Sequence, residues 1–570
     1  MAETLRLAPL DIHFADFIVR IDRHPCDELW WGAALASHAT GRGHSCFTLY
    51  DLPEAAALAP LQSLRNPPPS DADSWRCALE QCDTVGAPGG YTPLVLDRAG
   101  RLYLHRCWSY EQQVASAILS RIRPVSAHEQ GLDDALGRYF PPQGEGVDLQ
   151  RTAARMALTH RFSVISGGPG SGKTATAARI LALLLGMGGD SRPKITLAAP
   201  TGKAALRLHQ SIVQAAGRLA LPGDLAHGLP SDVSTIHRLL GVRSRGGFRH
   251  NRDNRLPCDI LLVDEASMVD LQLMSHLLEA LRDDARVILL GDRHQLASVE
   301  AGAVLADICD SEDRASVPVT QLTKSYRFGD NSGIAALGRL INSGDSAGAM
   351  ALLDSGQYPD ILWRQLPAGR ALEGALAAAV RDGYAEYVQA ASPGEALARL
   401  NSFRVLSPLR GGPTGVENLN RLCQTALDPE HAHDDRGTFM KPFMITGNNY
   451  ELGLYNGDTG VVTESDDGQT VWFENPDGGL RHISMLRLPP GDAAFALTVH
   501  KSQGSEFGRV LLILPDQPSD VLSRELLYTA VTRARSRIEI WGTEEVFRQA
   551  IERRTVRKSG LQDALSGGVP

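Results

Sequence analysis

The sequence predicts an α/β fold: two lobes with parallel sheets, a small inserted β-hairpin, a small inserted β-barrel and a mainly helical N-terminal domain. The first observation is a glycine-rich loop at residues 167–174 that follows an apolar strand and opens a helix. The second is the alternation of apolar strands with amphipathic helices from about residue 145 to 330 and again from 331, which is typical of parallel sheets. The third is a series of short strands separated by Gly-Asp and Asp-Gly turns at 430–495, which indicates a small antiparallel barrel.

The composition is that of an ordinary globular protein. The chain has 570 residues, of which 43% are hydrophobic and 22% charged. No apolar stretch is long enough to span a membrane, no N-terminal signal is visible, and the eight scattered cysteines form no metal-binding or redox pair. We therefore expect a cytoplasmic protein with no membrane contact. The net charge of −9 argues against a protein coated in nucleic acid but allows a narrow basic groove, because binding depends on local charge.

The first 115 residues carry no chemical motif. Trp30, Trp31, Ala34 and Leu35 recur at the spacing of one helix face. They either form the core of a small domain or present a docking surface for a partner subunit, and both interpretations remain open. Residues 116–144 are predicted to be a linker helix region that leads to the first lobe.

The glycine-rich loop fits the phosphate-binding pattern G-x-x-x-x-G-K-[ST]. In such a loop, backbone N–H groups and the helix N-terminus surround phosphate oxygens. The lysine then reaches the β- and γ-phosphates, and the hydroxyl that follows it can bind Mg²⁺. The predicted nucleotide-binding residues are Gly167, Gly168, Pro169, Gly170, Ser171, Gly172, Lys173 and Thr174.

The first lobe is predicted to span residues 145–330. Two further strand ends in it carry polar groups. Asp264 and Glu265 follow an apolar strand, at the sheet edge where parallel strands place their ligands. Asp264 is predicted to hold Mg²⁺ and Glu265 to polarise the attacking water. Gln295, four residues after the next strand, either senses the γ-phosphate or, with Asp292, caps the following helix.

Positive charge for phosphoryl transfer can come from two distant arginines, Arg327 and Arg533. If the second lobe packs across the nucleotide, both can neutralise the transition state in cis, so both are predicted to be catalytic. Alone, an arginine in a helix is more often a surface charge.

The remaining segments complete the predicted organisation. Residues 242–256 are basic and turn-rich with a single aromatic, Phe248, and are predicted to be an exposed hairpin rather than core. The second lobe is predicted to comprise residues 331–429 and 496–555, interrupted by the barrel at 430–495. A polar tail from 556 to 570 is predicted to be frayed.

The ordered set of motifs resembles superfamily 1 helicases. It comprises the phosphate loop, VDEASMVD (263–270), GDRHQL (291–296), SYRF (325–328), TVHKSQGSEF (498–507) and YTAVTRAR (528–535), with APTGKAA (199–205) and TIHRLLG (235–241) between the first two. More narrowly the chain resembles the RecD family, α-subunits of the RecBCD exonuclease V complex. That likeness rests on SVISGGPG (163–170), SPLRGGPTG (407–415) and MITG with GLYNGDTG (444–447 and 453–460).

The resemblance implies a 5′→3′ DNA helicase with two RecA-like lobes, driven by ATP and Mg²⁺. Residues 242–256 would be the pin that splits the duplex, and Gln150 would read the adenine. Hydroxyls, histidines and strand-end amides suit phosphate contact, although such residues also cap helices. The candidates to face single-stranded DNA are Pro200, Thr201, Lys203, Thr235, His237, His294, Thr498 and His500.

The family also implies partners. An N-terminal region of only about 140 residues favours the subunit of a heterotrimer with RecB-like and RecC-like chains acting on DNA ends, in break repair and recombination. The alternatives are a stand-alone helicase on DNA or RNA and a non-motor, ATP-gated regulatory subunit. A metal nuclease of the Asp…(Asp/Glu)-x-Lys type is not expected, because no acid stands two residues before any of the seven lysines; those positions hold Ser171, Arg192, Thr201, Leu322, Phe439, Val499 and Val556.

Overall fold

The fold combines an N-terminal unit, two parallel sheets and a small antiparallel sheet, which confirms the predicted fold class. The computed structural model describes residues 6–51, 66, 71–125, 132–141, 147–187, 192–218, 230, 233–243, 246–311, 316–329, 331–428, 439–449, 451–465, 468–475 and 479–567. No helix in these ranges is long and apolar enough to cross a bilayer.

The N-terminal unit packs helices on a four-stranded sheet of order β1-β4-β3-β2. Trp30 and Trp31 are 1% and 0% exposed and meet edge to face at 5.1 Å, so this helix face is core rather than a docking surface. Another apolar stripe is exposed instead: Leu10, Phe17 and Ile21 lie along one side of the first helix. The elements are α1 (Pro9–Ile21), α2 (Asp27–Gly41), β1 (Cys46–Thr48), α3 (Ala72–Leu79), β2 (Val85–Gly86), β3 (Leu94–Leu96), β4 (Arg101–Leu104) and α4 (His105–Leu119).

Lobe 1 is built on a six-stranded parallel sheet of order β10-β5-β9-β8-β6-β7. Its central strands are fully buried because helices cover both faces. The elements are α5 (Leu132–Tyr139), α6 (Leu149–Thr159), β5 (Phe162–Gly167), α7 (Lys173–Met187), β6 (Ile195–Ala199), α8 (Gly202–Arg218), β7 (Val233–Thr235), α9 (Ile236–Leu240), β8 (Ile260–Val263), α10 (Leu271–Glu279), β9 (Arg286–Gly291), α11 (Val304–Asp310) and β10 (Val319–Leu322).

Lobe 2 has a five-stranded parallel sheet of order β11-β20-β19-β12-β18. Its helices and strands alternate along the chain, as in lobe 1, and one insertion interrupts them. The elements are α12 (Gly333–Ser343), α13 (Ser346–Asp354), β11 (Ile361–Gln365), α14 (Arg370–Gly383), α15 (Ala385–Val388), α16 (Pro393–Leu400), β12 (Phe403–Ser407), α17 (Val416–Leu427), β18 (Ala496–Thr498), β19 (Phe507–Ile513), α18 (Arg524–Val531), β20 (Ala534–Gly542) and α19 (Glu544–Glu552).

The insertion in lobe 2 is a five-stranded antiparallel sheet of order β16-β15-β14-β13-β17. The predicted run of short strands is therefore present. Among the described residues β16 and β17 do not pair with each other, so the ladder is open rather than a closed barrel. The strands are β13 (Lys441–Ile445), β14 (Thr459–Ser465), β15 (Gly468–Glu474), β16 (Leu480–Ser484) and β17 (Gly491–Ala493).

The predicted hairpin is smaller than its sequence range. One antiparallel bridge joins Val242 to Phe248, and turns occupy the rest of the described part up to residue 256. The expectation that this segment avoids the core is wrong for Phe248, whose ring is half-buried and lies 5.2 Å from the ring of His276. The base of the loop thus packs on lobe 1, while Arg243 and Arg252 stay exposed.

The predicted frayed tail is ordered through residue 567. Leu561 and Leu565 of α20 (Leu561–Leu565) are each 1% exposed and pack in the core shared with α4 and α11. Upstream, Ser45 N–H donates to the Lys558 carbonyl at 3.0 Å, and the Gly560 N–H donates to the buried Glu111 carboxylate. Residues 558–565 therefore contact both the N-terminal unit and lobe 1 and hold the two together.

Candidate ATPase site and nucleic-acid interface

The glycine-rich loop has the shape that phosphate binding requires. Strand β5 is buried along its length and ends at Gly167, and helix α7 begins at Lys173. Gly170 and Gly172 adopt φ of +75° and +84°, a region that residues with a Cβ rarely enter. The Lys173 ammonium donates to the carbonyls of Gly167 at 2.5 Å and Gly168 at 3.2 Å, so its charge lies directly beneath the loop.

Two buried polar groups around the loop have no hydrogen-bond partner among the described residues. The hydroxyl of Ser171 and Nη1 of Arg327 are buried with no hydrogen-bond partner in the described part of the chain. Arg327 lies against the loop, since a Cβ at Gly170 would collide with the Cβ of Arg327. Buried donors are normally satisfied, so unpaired donors beside a phosphate loop indicate a site for an anion. The residues present therefore fit a nucleoside triphosphate.

The two strand-end acids lie at the same sheet edge. Glu265 follows β8 with φ of 52° and ψ of 40°, a strained conformation for a residue with a side chain. Its N–H donates to the Asp264 carboxylate at 2.9 Å. Burial and then the Glu265 charge raise the pKa of Asp264 to about 6, while Lys173 acts in the opposite direction. Carboxylate oxygens at this sheet edge suit a hard cation such as Mg²⁺, which Thr174 and Asp264 would hold.

Beside the phosphate loop, a small cavity of about 180 Å³ lies between α6 and the segment after β10. Gln150 lines it, and a Cβ at Gly172 would lie 2.9 Å from Nε2 of Gln150. Tyr326, which is 56% exposed, lines the same cavity, and its ring also adjoins Gly172. No role was predicted for Tyr326, although it stands next to Arg327 in SYRF. A planar ring and an amide side by side suit a purine.

Gln295 is buried and connects to lobe 2 through Asp292. Its amide donates to Asp292 at 3.3 Å, and Tyr528 of lobe 2 donates to the same carboxylate at 2.9 Å. The Leu296 N–H donates to Thr529 Oγ1 at 3.0 Å. The alternative that Asp292 and Gln295 cap the following helix is wrong, because α11 begins at Val304 with Ala303 as its N-cap.

The two arginines are held in different ways. Arg533 is 3% exposed, and its guanidinium donates to the carbonyls of Thr529 and Ser505, each at 3.1 Å. Arg327 donates to Glu506 at 2.5 Å through Nη2. Neither side chain is a solvated surface charge, and the two come from opposite sides of the cleft between the lobes.

Glu506 is the residue that sequence reasoning missed. Besides Arg327 it pairs with Arg535 at 3.1 Å and with Arg207 of lobe 1 at 3.2 Å. Burial alone would raise the pKa of Glu506, but Arg207, Arg327 and Arg533 lower it to about 2. The motif SQGSEF was visible, yet the pairing with Arg327 joins residues 179 positions apart and depends on how the lobes pack.

The three predicted DNA-contact threonines all accept a hydrogen bond at the start of a helix or turn. The side-chain oxygens of Thr201, Thr235 and Thr498 accept from N–H groups three residues ahead, each at 3.2 Å. Each stands at the carboxyl end of a parallel strand or just after it, so the alternative of a helix-capping role applies to all three. A hydroxyl that accepts in a cap can still donate to a phosphate, and the two roles are compatible.

The other predicted DNA-contact residues are distributed along the molecule. Lys203 and Thr235 line one cavity of about 450 Å³, which Tyr455 and Asp458 of the inserted sheet close on the other side. His237 lines a second cavity, and Thr498 lines a third together with Lys501. Pro200 and His500 are half-buried, and His294 is exposed beside the Tyr528 ring.

Family models match three parts of the chain. The RecBCD enzyme subunit RecD N-terminal domain matches residues 3–103, the AAA domain residues 150–301 and the UvrD-like helicase C-terminal domain residues 493–538. With the two parallel sheets and the phosphate loop, these matches define an ATP-dependent helicase built on two RecA-like lobes.

The RecD subunit of Mycolicibacterium smegmatis RecBCD is 40% identical over 98% of this chain and 97% of that protein. The Haemophilus influenzae subunit is 36% identical over 82% of this chain and 80% of that protein. The chain therefore belongs to the RecD family of RecBCD enzyme subunits. The RecD2 DNA helicase of Deinococcus radiodurans is 32% identical, with 82% of this chain matching 59% of it. Among solved structures, Bacteroides Pif1 bound to ssDNA has a TM-score of 0.40 at 16% identity, covering 70% of this chain and 93% of that chain.

Proposed function

We propose that this chain is the 5′→3′ DNA-translocating motor of a RecBCD-type heterotrimer that acts on DNA ends in break repair and recombination. One observation carries the proposal: Arg327 lies against the phosphate loop with no acceptor for its Nη1 among the described residues, and both it and Arg533 of lobe 2 act on the Glu506 carboxylate between the lobes. Contacts of this kind between the lobes would couple the presence or absence of the γ-phosphate to the relative position of the two lobes.

In this proposal each residue of the ATPase site has one role. Lys173 and the loop N–H groups bind the β- and γ-phosphates, and Gln150 with Tyr326 holds the adenine. Thr174 and Asp264 hold Mg²⁺, which supplies charge neutralisation when bound. Glu265 takes the proton of the attacking water, and Arg327 and Arg533 stabilise charge on the transferred phosphoryl group.

The bonds between the lobes supply the coupling. Gln295 senses the γ-phosphate, and its partner Asp292 is bonded to Tyr528 of lobe 2. A shift at Gln295 therefore moves α18, the helix that ends two residues before Arg533. The lobes close and open around DNA held by the strand-end hydroxyls and Lys203, which contact phosphates and impose no sequence preference.

The partner assignment rests on family membership and on one surface. The exposed stripe of Leu10, Phe17 and Ile21 on α1 is the kind of apolar face that a partner subunit covers, here a RecB-like or RecC-like chain. No acid stands two residues before a lysine, so the nuclease of the complex belongs to another chain.

Polarity and partnership are tested together. Purification from the native host should yield two larger partner chains with nuclease activity. The complex should unwind a duplex with only a 5′ single-stranded tail, and a Lys173→Gln complex should lose that activity while keeping its partners. Loss confined to 3′-tailed duplexes would contradict the polarity. A purified monomer as processive as the complex would support a stand-alone helicase.

The pH dependence of DNA binding should report on Lys203. Burial, followed by repulsion from Arg404 and Arg207, lowers the pKa of Lys203 to about 7. A bound phosphate raises that pKa, so binding takes up a proton and affinity should fall as pH rises above 7, by about tenfold per pH unit at most. Titrations of labelled single-stranded DNA at several pH values measure the slope. Lys203→Arg should flatten it because guanidinium stays charged; an unchanged slope would contradict the contact.

A further inference from the structure

A second cavity lies where the N-terminal unit, the loop at residues 242–256 and lobe 1 meet. It encloses about 300 Å³. Tyr110 of α4, His276 of α10 and Phe248 at the base of the loop line it, together with His237, the predicted DNA contact. None of these residues belongs to the ATPase site, and His237 alone among them was predicted to contact DNA.

The rings of this cavity form a continuous series. Tyr110 and His276 lie 5.5 Å apart, His276 and Phe248 5.2 Å, and Phe248 and His237 6.1 Å. All four side chains are half-buried, so part of each ring is still free. The series connects the N-terminal unit to the loop that would split the duplex.

The charge of the lining does not suit a phosphate. Among the described residues, Arg106 is the one lysine or arginine that lines the cavity, and two carboxylates, Asp270 and Glu300, oppose it. Burial lowers the pKa of His237, which keeps its imidazole neutral near neutral pH. Rings with a balanced set of donors and acceptors suit an uncharged aromatic heterocycle, and base–aromatic stacking tolerates every sequence.

We propose that this cavity receives one unstacked nucleobase of the DNA strand at the point where the duplex opens. The inference rests on the proposed helicase function and extends it: the N-terminal unit takes part in strand separation through Tyr110, in addition to any contact with partners. An unpaired base is already released from its partner strand, so its capture at this position opposes re-annealing while the lobes move.

The fluorescent base 2-aminopurine, placed singly at successive positions around a DNA fork, tests the proposal with the full complex. Wild-type protein should quench it strongly at one position. Tyr110→Leu and Phe248→Leu should lose that quench and bind the fork about 5- to 150-fold more weakly, the range expected for one stacked base. Tyr110→Phe, which keeps the ring, should behave as wild type.

Tyr91→Leu is the matched control, because Tyr91 is a 97% exposed tyrosine of the same unit that does not line the cavity. Quench that survives in both leucine variants, or quench at no position, would overturn the proposal, as would a loss of partner chains with base quench retained. DNA-stimulated ATP hydrolysis separates the two proposals: a wild-type complex that lacks it refutes the motor itself, whereas variants that hydrolyse ATP but do not quench support the base site.

Discussion

Lys173→Gln should reduce ATP hydrolysis by at least about 10²–10³-fold, because it removes the only ammonium group that lies beneath the described phosphate loop. Glutamine retains a hydrogen-bond donor, but its side chain is one atom shorter than that of lysine and carries no charge to offset the phosphates. Steady-state hydrolysis with single-stranded DNA present measures the loss. Co-purification of partner chains should not change, since Lys173 lies far from the α1 stripe in sequence and makes its bonds within its own loop.

Lys194→Gln is the matched control for this experiment. Lys194 is also a lysine of lobe 1, but it is exposed at the start of β6 and lines none of the cavities described for the site. Its replacement should leave hydrolysis near wild type. Substantial hydrolysis by Lys173→Gln, or an equal loss in Lys194→Gln, would contradict the assigned site.

Arg327→Gln should lower the rate constant of hydrolysis by about 10³-fold or more while nucleotide binding changes little, because a transition-state arginine contributes mainly to the chemical step. Its Nη2 pairs with Glu506, whereas its buried Nη1, next to Gly170, has no acceptor among the described residues and can donate to a phosphoryl group. Single-turnover hydrolysis and binding of a fluorescent nucleotide separate the two quantities.

Arg535→Gln tests whether ATP hydrolysis depends on the ion pair between an arginine and Glu506 or on the position of Arg327 at the phosphate loop. Arg535 bonds the same carboxylate as Arg327, but its side chain is 57% exposed. We expect only a few-fold change in that variant. If both variants lose hydrolysis equally, Glu506 organises the network as a whole and Arg327 has no special place at the phosphate.

Local signals in the sequence were sufficient for the phosphate loop and the strand-end acids. Gly167 to Thr174 and Asp264 with Glu265 each occupy a few consecutive residues, and their geometry follows from one strand and its turn. The same is true of the parallel sheets, whose apolar strands are short and separated by amphipathic helices.

Contacts between distant segments were not predictable from one sequence. Glu506 gains its importance only from Arg207 and Arg327, which lie in lobe 1 and next to its phosphate loop. Phe248 turns inward because His276 offers a ring at that position. The helix Leu561–Leu565 is too short to give a periodic signal, and its burial depends on α4, more than 400 residues earlier in the chain.

The position of those last residues has a consequence for biosynthesis. A polypeptide leaves the ribosome from its N-terminus, and the first hundred residues emerge long before the end of the message. Ser45 and Glu111 nevertheless wait for Lys558 and Gly560 to complete their bonds. The bonds that hold the N-terminal unit are therefore complete only after residues 558–560 have been synthesised, and a chain truncated before them would lack these bonds.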